Sequence, residues 1–267
     1  MKDLLEDAAK RAASYLGGLP NRPVAPTPEA IEGLTDLFEP FPDGPTDPQT
    51  VLALLDELGS PATVASAGGR YFGFVIGGSL PATLAANWLA GAWDQNGGLF
   101  VASPVAATLE EVAQSWLVDI FGFPAGTGAG FVTGATMANF SGLAAARHAI
   151  LNKLGWDVEA YGLFGAPPLT VVVGAEVHVS LLKALSMLGL GRERVHRVPV
   201  DEQGRMRADA LPELTESTIV CLQAGNVNTG ACDPFEEICT AARQAGAWVH
   251  VDGAFGLWAA AAPNRAC

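Results

Sequence analysis

From residue 169 onward the apolar positions fall into short runs separated by amphipathic stretches. The runs cover residues 169–173 (LTVVV), 195–200 (VHRVPV), 218–222 (TIVCL) and 247–251 (AWVHV). Each has strand length and is rich in β-branched residues, which suits a buried strand. Between them, Leu181 and Leu188 mark one helix, residues 208–216 suggest a short second one, and residues 234–245 a third. Strands alternating with helices predict an α/β fold, a mostly parallel sheet with helices on both faces.

The front of the chain follows a different pattern. Residues 1–16 read as a helix. In the passage 19–48, Pro20, Pro23, Pro26 and Pro28 argue against a regular element. A helix follows near residues 49–58. Residues 1–68 are therefore read as a helical arm with a Pro-rich linker, either crossing a second subunit or forming a mobile tail. Residues 69–267 are read as the main domain. Within it, Pro81 opens a helix carrying Trp88 and Trp93, and Ser103-Pro104 is a helix start. Val105, Leu109, Val112, Trp116 and Ile120 then recur at helical spacing and should face a core, with Gly122 and Pro124 ending the helix. A further helix spans residues 136–154 and is closed by Gly155.

Composition narrows the classes. The chain has 267 residues, 49% hydrophobic and 16% charged, enough to bury a large core. Twenty-eight acidic against 15 basic residues give a net charge of −13, which argues against nucleic acid or an anionic membrane as partner. The N-terminus lacks the basic start and apolar run of a signal peptide, and the apolar stretches are too short to span a bilayer. Cys221, Cys232, Cys239 and Cys267 show no CxxC and no paired spacing. The expectation is reduced thiols, no metal site and a cytoplasmic location.

Ligands of open parallel sheets bind beyond the carboxyl ends of strands. That rule selects His178 after the first run, Asn226 and Asn228 after the third, and Asp252 at the end of the fourth. Residues 130–139 (GFVTGATMAN) add an apolar strand running through small residues into a helix. Free backbone N–H groups at that helix start, with the Thr136 hydroxyl, suit a phosphate, although a plain capped helix accounts for the same pattern. Gly126, Gly128 and Gly130 do not make GxGxxG, because Phe131 stands where the third glycine belongs. GxxxxGK[ST] and GxSxG are both missing from the sequence.

TGATMAN at 133–139, HVSLLKA at 178–184, VPVD at 198–201 with GRM at 204–206, NTGACDP at 228–234 and WVHVDGA at 248–254 occur in one order at characteristic intervals. From about Arg70 onward the chain resembles the pyridoxal-phosphate (PLP) dependent amino-acid decarboxylases of the aromatic amino-acid and glutamate type. The resemblance implies the aspartate-aminotransferase fold and a homodimer. It implies that Asp252 pairs with the pyridine nitrogen, His178 stacks on the ring and Ala254 lies behind it. Gly134, Ala135 and Thr136 would cup the phosphate. Asn226 and Asn228 would line the ring edge. The implied reaction is decarboxylation of an L-amino acid to an amine. An aminotransferase or carbon–carbon lyase of the same fold, or a non-catalytic protein binding PLP or a partner, are the alternatives. The family's Glu of GGTEAN is Met137 here, and its Asp-Ala-Ala is Asp252-Gly253-Ala254. The Asp-x-His-Lys segment, whose lysine forms the Schiff base, follows later in the family. Here the lysines are Lys2, Lys10, Lys153 and Lys183. Lys183 matches the ordinary lysine of the helix after His178. The expectation is a large domain incomplete at its C-terminus, inactive as it stands and prone to aggregate around its exposed apolar end.

Overall fold

The computed structural model describes residues 1–262 and 264, so Cys267 lies outside the described residues. The chain divides into two compact units, Met1–Asp94 and Gln95–Cys267. By this division the helix after Pro81 belongs to the first unit, beyond the compositional boundary at residue 68.

The first unit is helical. It contains α1 (Lys2–Gly18), α2 (Pro28–Gly33), α3 (Pro48–Leu54), α4 (Ser60–Ala62) and α5 (Pro81–Trp93), with a π-helical turn at Leu55–Gly59. The Arg11 guanidinium ties α1 to that turn, donating to Asp7 and to Asp56 at 3.0 Å each. The Pro-rich passage is not free of regular structure as its prolines suggest. Thr27 accepts the Ala30 N–H, and Pro28 occupies the first turn of α2, where a missing N–H costs nothing. A 3-10 turn, Leu34–Leu37, continues it.

The second unit carries α6 (Pro104–Ile120), α7 (Ala135–Lys153), α8 (Val158–Tyr161), β1 (Thr170–Gly174), α9 (Val179–Met187), β2 (His196–Val198), β3 (Thr218–Gln223), α10 (Phe235–Ala245) and β4 (Trp248–Asp252). Ser103 caps α6 as its sequence predicts, its hydroxyl accepting the Ala106 N–H at 3.3 Å. The apolar stripe of α6, however, does not face a core. Leu109 is 58% and Trp116 67% exposed, and Val105, Val112 and Ile120 are also exposed. Helical spacing identifies an apolar face but not what covers it, and among the described residues nothing does.

The four strands are all parallel, in the order β2-β1-β3-β4. Alternate side chains build two cores. On one face Val171, Val173, Ile219 and Cys221 meet Leu143 and Ile150 of α7 and Leu181 and Leu185 of α9. On the other, Val172, Val220 and Leu222 meet Ile238 and Ala242 of α10. β3 is central, with Ile219 through Leu222 no more than 3% exposed. Each such apolar side chain contributes about 1.5–3 kcal/mol on burial. Two elements are shorter than their sequence patterns. β2 stops at Val198 because Pro199 has no N–H to give. The helix expected over 208–216 is one 3-10 turn, Ala208–Ala210, because Pro212 holds Leu211 extended at ψ 138°.

Candidate active site

The parallel register brings the carboxyl ends of β3 and β4 level, with Gln223 opposite Asp252. Gly174 at the end of β1 joins them, and a small cleft opens there, lined by Glu176, His178, Gly204, Gln223, Asp233 and Asp252 among others. Of the four residues that the strand-end rule selects, His178 and Asp252 share this cleft, and Asn226 and Asn228 do not line it. Residues of α7 and α9 reach the same place.

Asp252 is held from two sides. Its Oδ1 accepts the Ala254 N–H at 3.1 Å, and its Oδ2 accepts the Asn139 side-chain amide at 3.1 Å. Among the described residues, no lysine, arginine or histidine forms an ion pair with it. His178 is the N-cap of α9, and its Nδ1 accepts the Ser180 N–H at 3.2 Å. A backbone N–H only donates, so Nδ1 carries a lone pair and the neutral ring has its proton on Nε2. The Ser180 hydroxyl lies 2.7 Å from the same Nδ1 and accepts from Asn139 Nδ2 at 3.2 Å.

Beneath the cleft, burial pushes the Cys221 thiol up, reinforced by the negative charge of Asp252, so it stays protonated. Asp233 joins the end of β3 to the 201–206 turn, accepting the Met206 and Gln223 N–H groups at 2.7 Å each. Burial raises its pKa, and the two N–H bonds oppose that rise. Gly204 adopts φ +77°, and a Cβ there would meet Asn226 Nδ2 at 2.5 Å and Glu176 Oε2 at 2.6 Å, so the turn requires glycine.

The remaining sequence candidates are placed as follows. Gly134, Ala135 and Thr136 form the N-terminal end of α7, with Thr136 half-buried. They lie about 5–8 Å along the helix axis from Asn139, at about 1.5 Å per residue. Ala254 is exposed, and its backbone N–H touches Asp252. Asn226 is buried; its amide donates to Glu176 at 2.8 Å and its oxygen accepts the Asn228 N–H at 2.9 Å. It reaches the cleft only through Glu176, and Asn228 is exposed in the loop. Lys183 sits within α9 and does not line the cleft. Asn139, Ser180 and His250 join these residues without any expectation from the sequence. The one available signal was Asn139 itself, a polar residue one turn beyond Thr136 on the helix face that Leu143, Ala146 and Ile150 bury.

The model of the pyridoxal-dependent decarboxylase conserved domain matches residues 63–265. The acidic amino acid decarboxylase GADL1 of Homo sapiens is 30% identical over 195 residues, 70% of this chain and 36% of that protein. An aromatic-L-amino-acid decarboxylase of Bacillus atrophaeus is 26% identical over 264 residues, 96% of this chain and 53% of that protein. The chain thus spans between about a third and a half of the length of these relatives. Among solved structures, Oryza sativa TDC with PLP and tryptamine superposes with a TM-score of 0.85 at 24% identity, covering 99% of this chain and 57% of the other. Mouse CSAD in apo form gives 0.81 at 24% identity, covering 95% and 55%. These likenesses agree with the parallel sheet and its helices as the fold of that structural group.

Proposed function

This chain belongs to the pyridoxal-dependent decarboxylase family, and on that premise we propose that it supplies the PLP-binding part of an enzyme that decarboxylates an L-amino acid. One observation carries the reading. Asp252 is a carboxylate fixed at a strand end, with no cationic partner among the described residues, in a cleft that it shares with His178. That donor set fits a protonated ring nitrogen, because the anchored anion still has lone pairs to accept one more N–H.

PLP, when bound, supplies the aldehyde that engages the substrate amine and the pyridinium ring that takes up electrons as carbon dioxide leaves. Asp252 would keep the proton on the ring nitrogen. His178 would pack its imidazole against the ring, and Ala254 would leave room on the other side. The N–H groups at the start of α7, at Gly134, Ala135 and Thr136, with the Thr136 hydroxyl, would take the phosphate. The 19-residue helix adds its dipole there. Ser180 and the α9 N-terminus hold His178 in place. Both acidic and aromatic amino-acid decarboxylases align with the chain, so the reading concerns the step they share.

The family match from residue 63 supports reading 69–267 as the PLP-binding domain and 1–68 as an arm. The bare apolar face of α6 supports a homodimer that covers it. The free thiols of Cys221 and Cys239 support a cytoplasmic protein. No helix among the described residues is long and apolar enough to cross a membrane. Product analysis of a version that carries the family's Schiff-base lysine tests the function: it should release an amine and carbon dioxide from an L-amino acid, and release of a keto acid would replace this reading with transamination.

A further inference from the structure

Five side chains of the second unit form one hydrogen-bonded network whose directions are fixed by chemistry. Asp252 only accepts, so the Asn139 group facing it is the amide nitrogen, with two protons. One goes to Asp252 Oδ2 and the other to Ser180 Oγ. Asn139 Oδ1 must then accept, and it lies 2.7 Å from His250 Nε2, which places that proton on Nε2. Ser180 Oγ accepts from Asn139 and sits 2.7 Å from a His178 Nδ1 that is already an acceptor, so its hydroxyl proton points at His178. Every donor and acceptor of the Asn139 amide that these contacts use is matched, and Asn139 is 4% exposed. A fully satisfied buried amide with three different side-chain partners holds all three in register. Burial lowers the His250 imidazole below its ordinary value, against the raising pull of Asp252, which keeps it a neutral donor.

We propose that Asn139 is the positioning residue of the site: its two amide protons set the Asp252 carboxylate and, through Ser180, the His178 ring, while His250 sets Asn139. The proposal rests on the PLP reading for its purpose. Its geometry stands on the side chains alone. The plane of the carboxylate and the place of the imidazole would thus be fixed by one group before any cofactor arrives.

The test uses this chain, long-range 1H–15N NMR of its four histidines, and PLP titration followed by tryptophan fluorescence. Asn139→Asp keeps an acceptor for His250 but sets a carboxylate against Asp252. It should leave the His250 Nε2–H signature in place and weaken PLP binding about tenfold or more, the scale of one lost charge-assisted bond. Asn139→Leu should shift His250 and His178 together. Ser180→Ala, which removes only a hydroxyl, should shift His178 Nδ1 and spare His250. The double variant should move His178 no further than Ser180→Ala alone, since both cut one path. His148, paired with Glu159, is the internal control. PLP affinity unchanged in Asn139→Asp, or a His178 signal indifferent to both Asn139→Leu and Ser180→Ala, would overturn the proposal. Failure of the wild-type chain to bind PLP would instead overturn the functional reading, while the histidine signals would still decide whether Asn139 governs its neighbours.

Discussion

Gly142→Ala should destabilise the protein, although the same change in an ordinary helix interior is favourable. Gly142 lies within α7, where alanine normally gains about 1 kcal/mol over glycine. Here a Cβ would stand 2.9 Å from His250 Cε1 and 3.1 Å from its Nδ1. Either α7 or the ring must give way. α7 is seated by Leu143, Ala146 and Ile150, the first two fully buried, so moving it disturbs the main core. Turning the ring breaks the His250–Asn139 bond and leaves a buried amide oxygen unpaired, at about 1–3 kcal/mol. Overpacking costs a similar amount. Against the propensity gain of about 1 kcal/mol, the net expectation is a loss of up to about 2 kcal/mol. Gly91 in α5 has nothing within 4 Å of a new Cβ, so Gly91→Ala should go the other way, by up to about 1 kcal/mol. Urea unfolding with unchanged slopes reads both signs. A Gly142→Ala protein as stable as the wild type, with its His250 signal unmoved, would refute the close-approach argument.

Three further outcomes follow from the site. In a version that carries the family's Schiff-base lysine, Asp252→Ala should abolish turnover, raising the barrier by several kcal/mol, about 1.4 for each tenfold, while circular dichroism stays native; turnover like that of the unsubstituted version would remove Asp252 from the mechanism. Thr136→Val should weaken PLP binding by about 1–3 kcal/mol in titration, and no change would leave Thr136 as part of the helix start alone. His250 gives a pH dependence. Its folded pKa is depressed, so the unfolded chain binds the proton first as pH falls through 6.5. The contribution is therefore full above 6.5 and is lost as pH falls from there towards the depressed folded value. His250→Gln should flatten that window in thermal melts across pH, and an unchanged profile would assign it to other groups.

The sheet was legible in the sequence because its apolar runs alternate cleanly with amphipathic stretches, and the strand-end rule then led to His178 and Asp252. Two proline effects, at Pro199 and Pro212, shortened elements that apolar spacing alone had extended. At Pro28 the reverse happened, because a proline in a first turn starts a helix as readily as it blocks one. The stripe on α6 was read correctly as a helix face and wrongly as a core face, since periodicity carries no information about a covering partner. The Asn139 network was hidden for a different reason. Its bonds span 113 residues to Asp252, 111 to His250 and 41 to Ser180, separations that no local pattern encodes. Asn226 shows the converse: a polar residue at a strand end whose bonds are consumed within its own loop and to Glu176.

The most direct test of the central claim is a structure of this protein with PLP bound. The pyridine nitrogen should lie within about 2.7–2.9 Å of an Asp252 carboxylate oxygen, as a charge-assisted bond requires. The His178 imidazole should lie against one ring face, and the phosphate should sit at the N-terminus of α7 beside Thr136. PLP bound with its ring nitrogen away from Asp252, or with its phosphate away from α7, would contradict it.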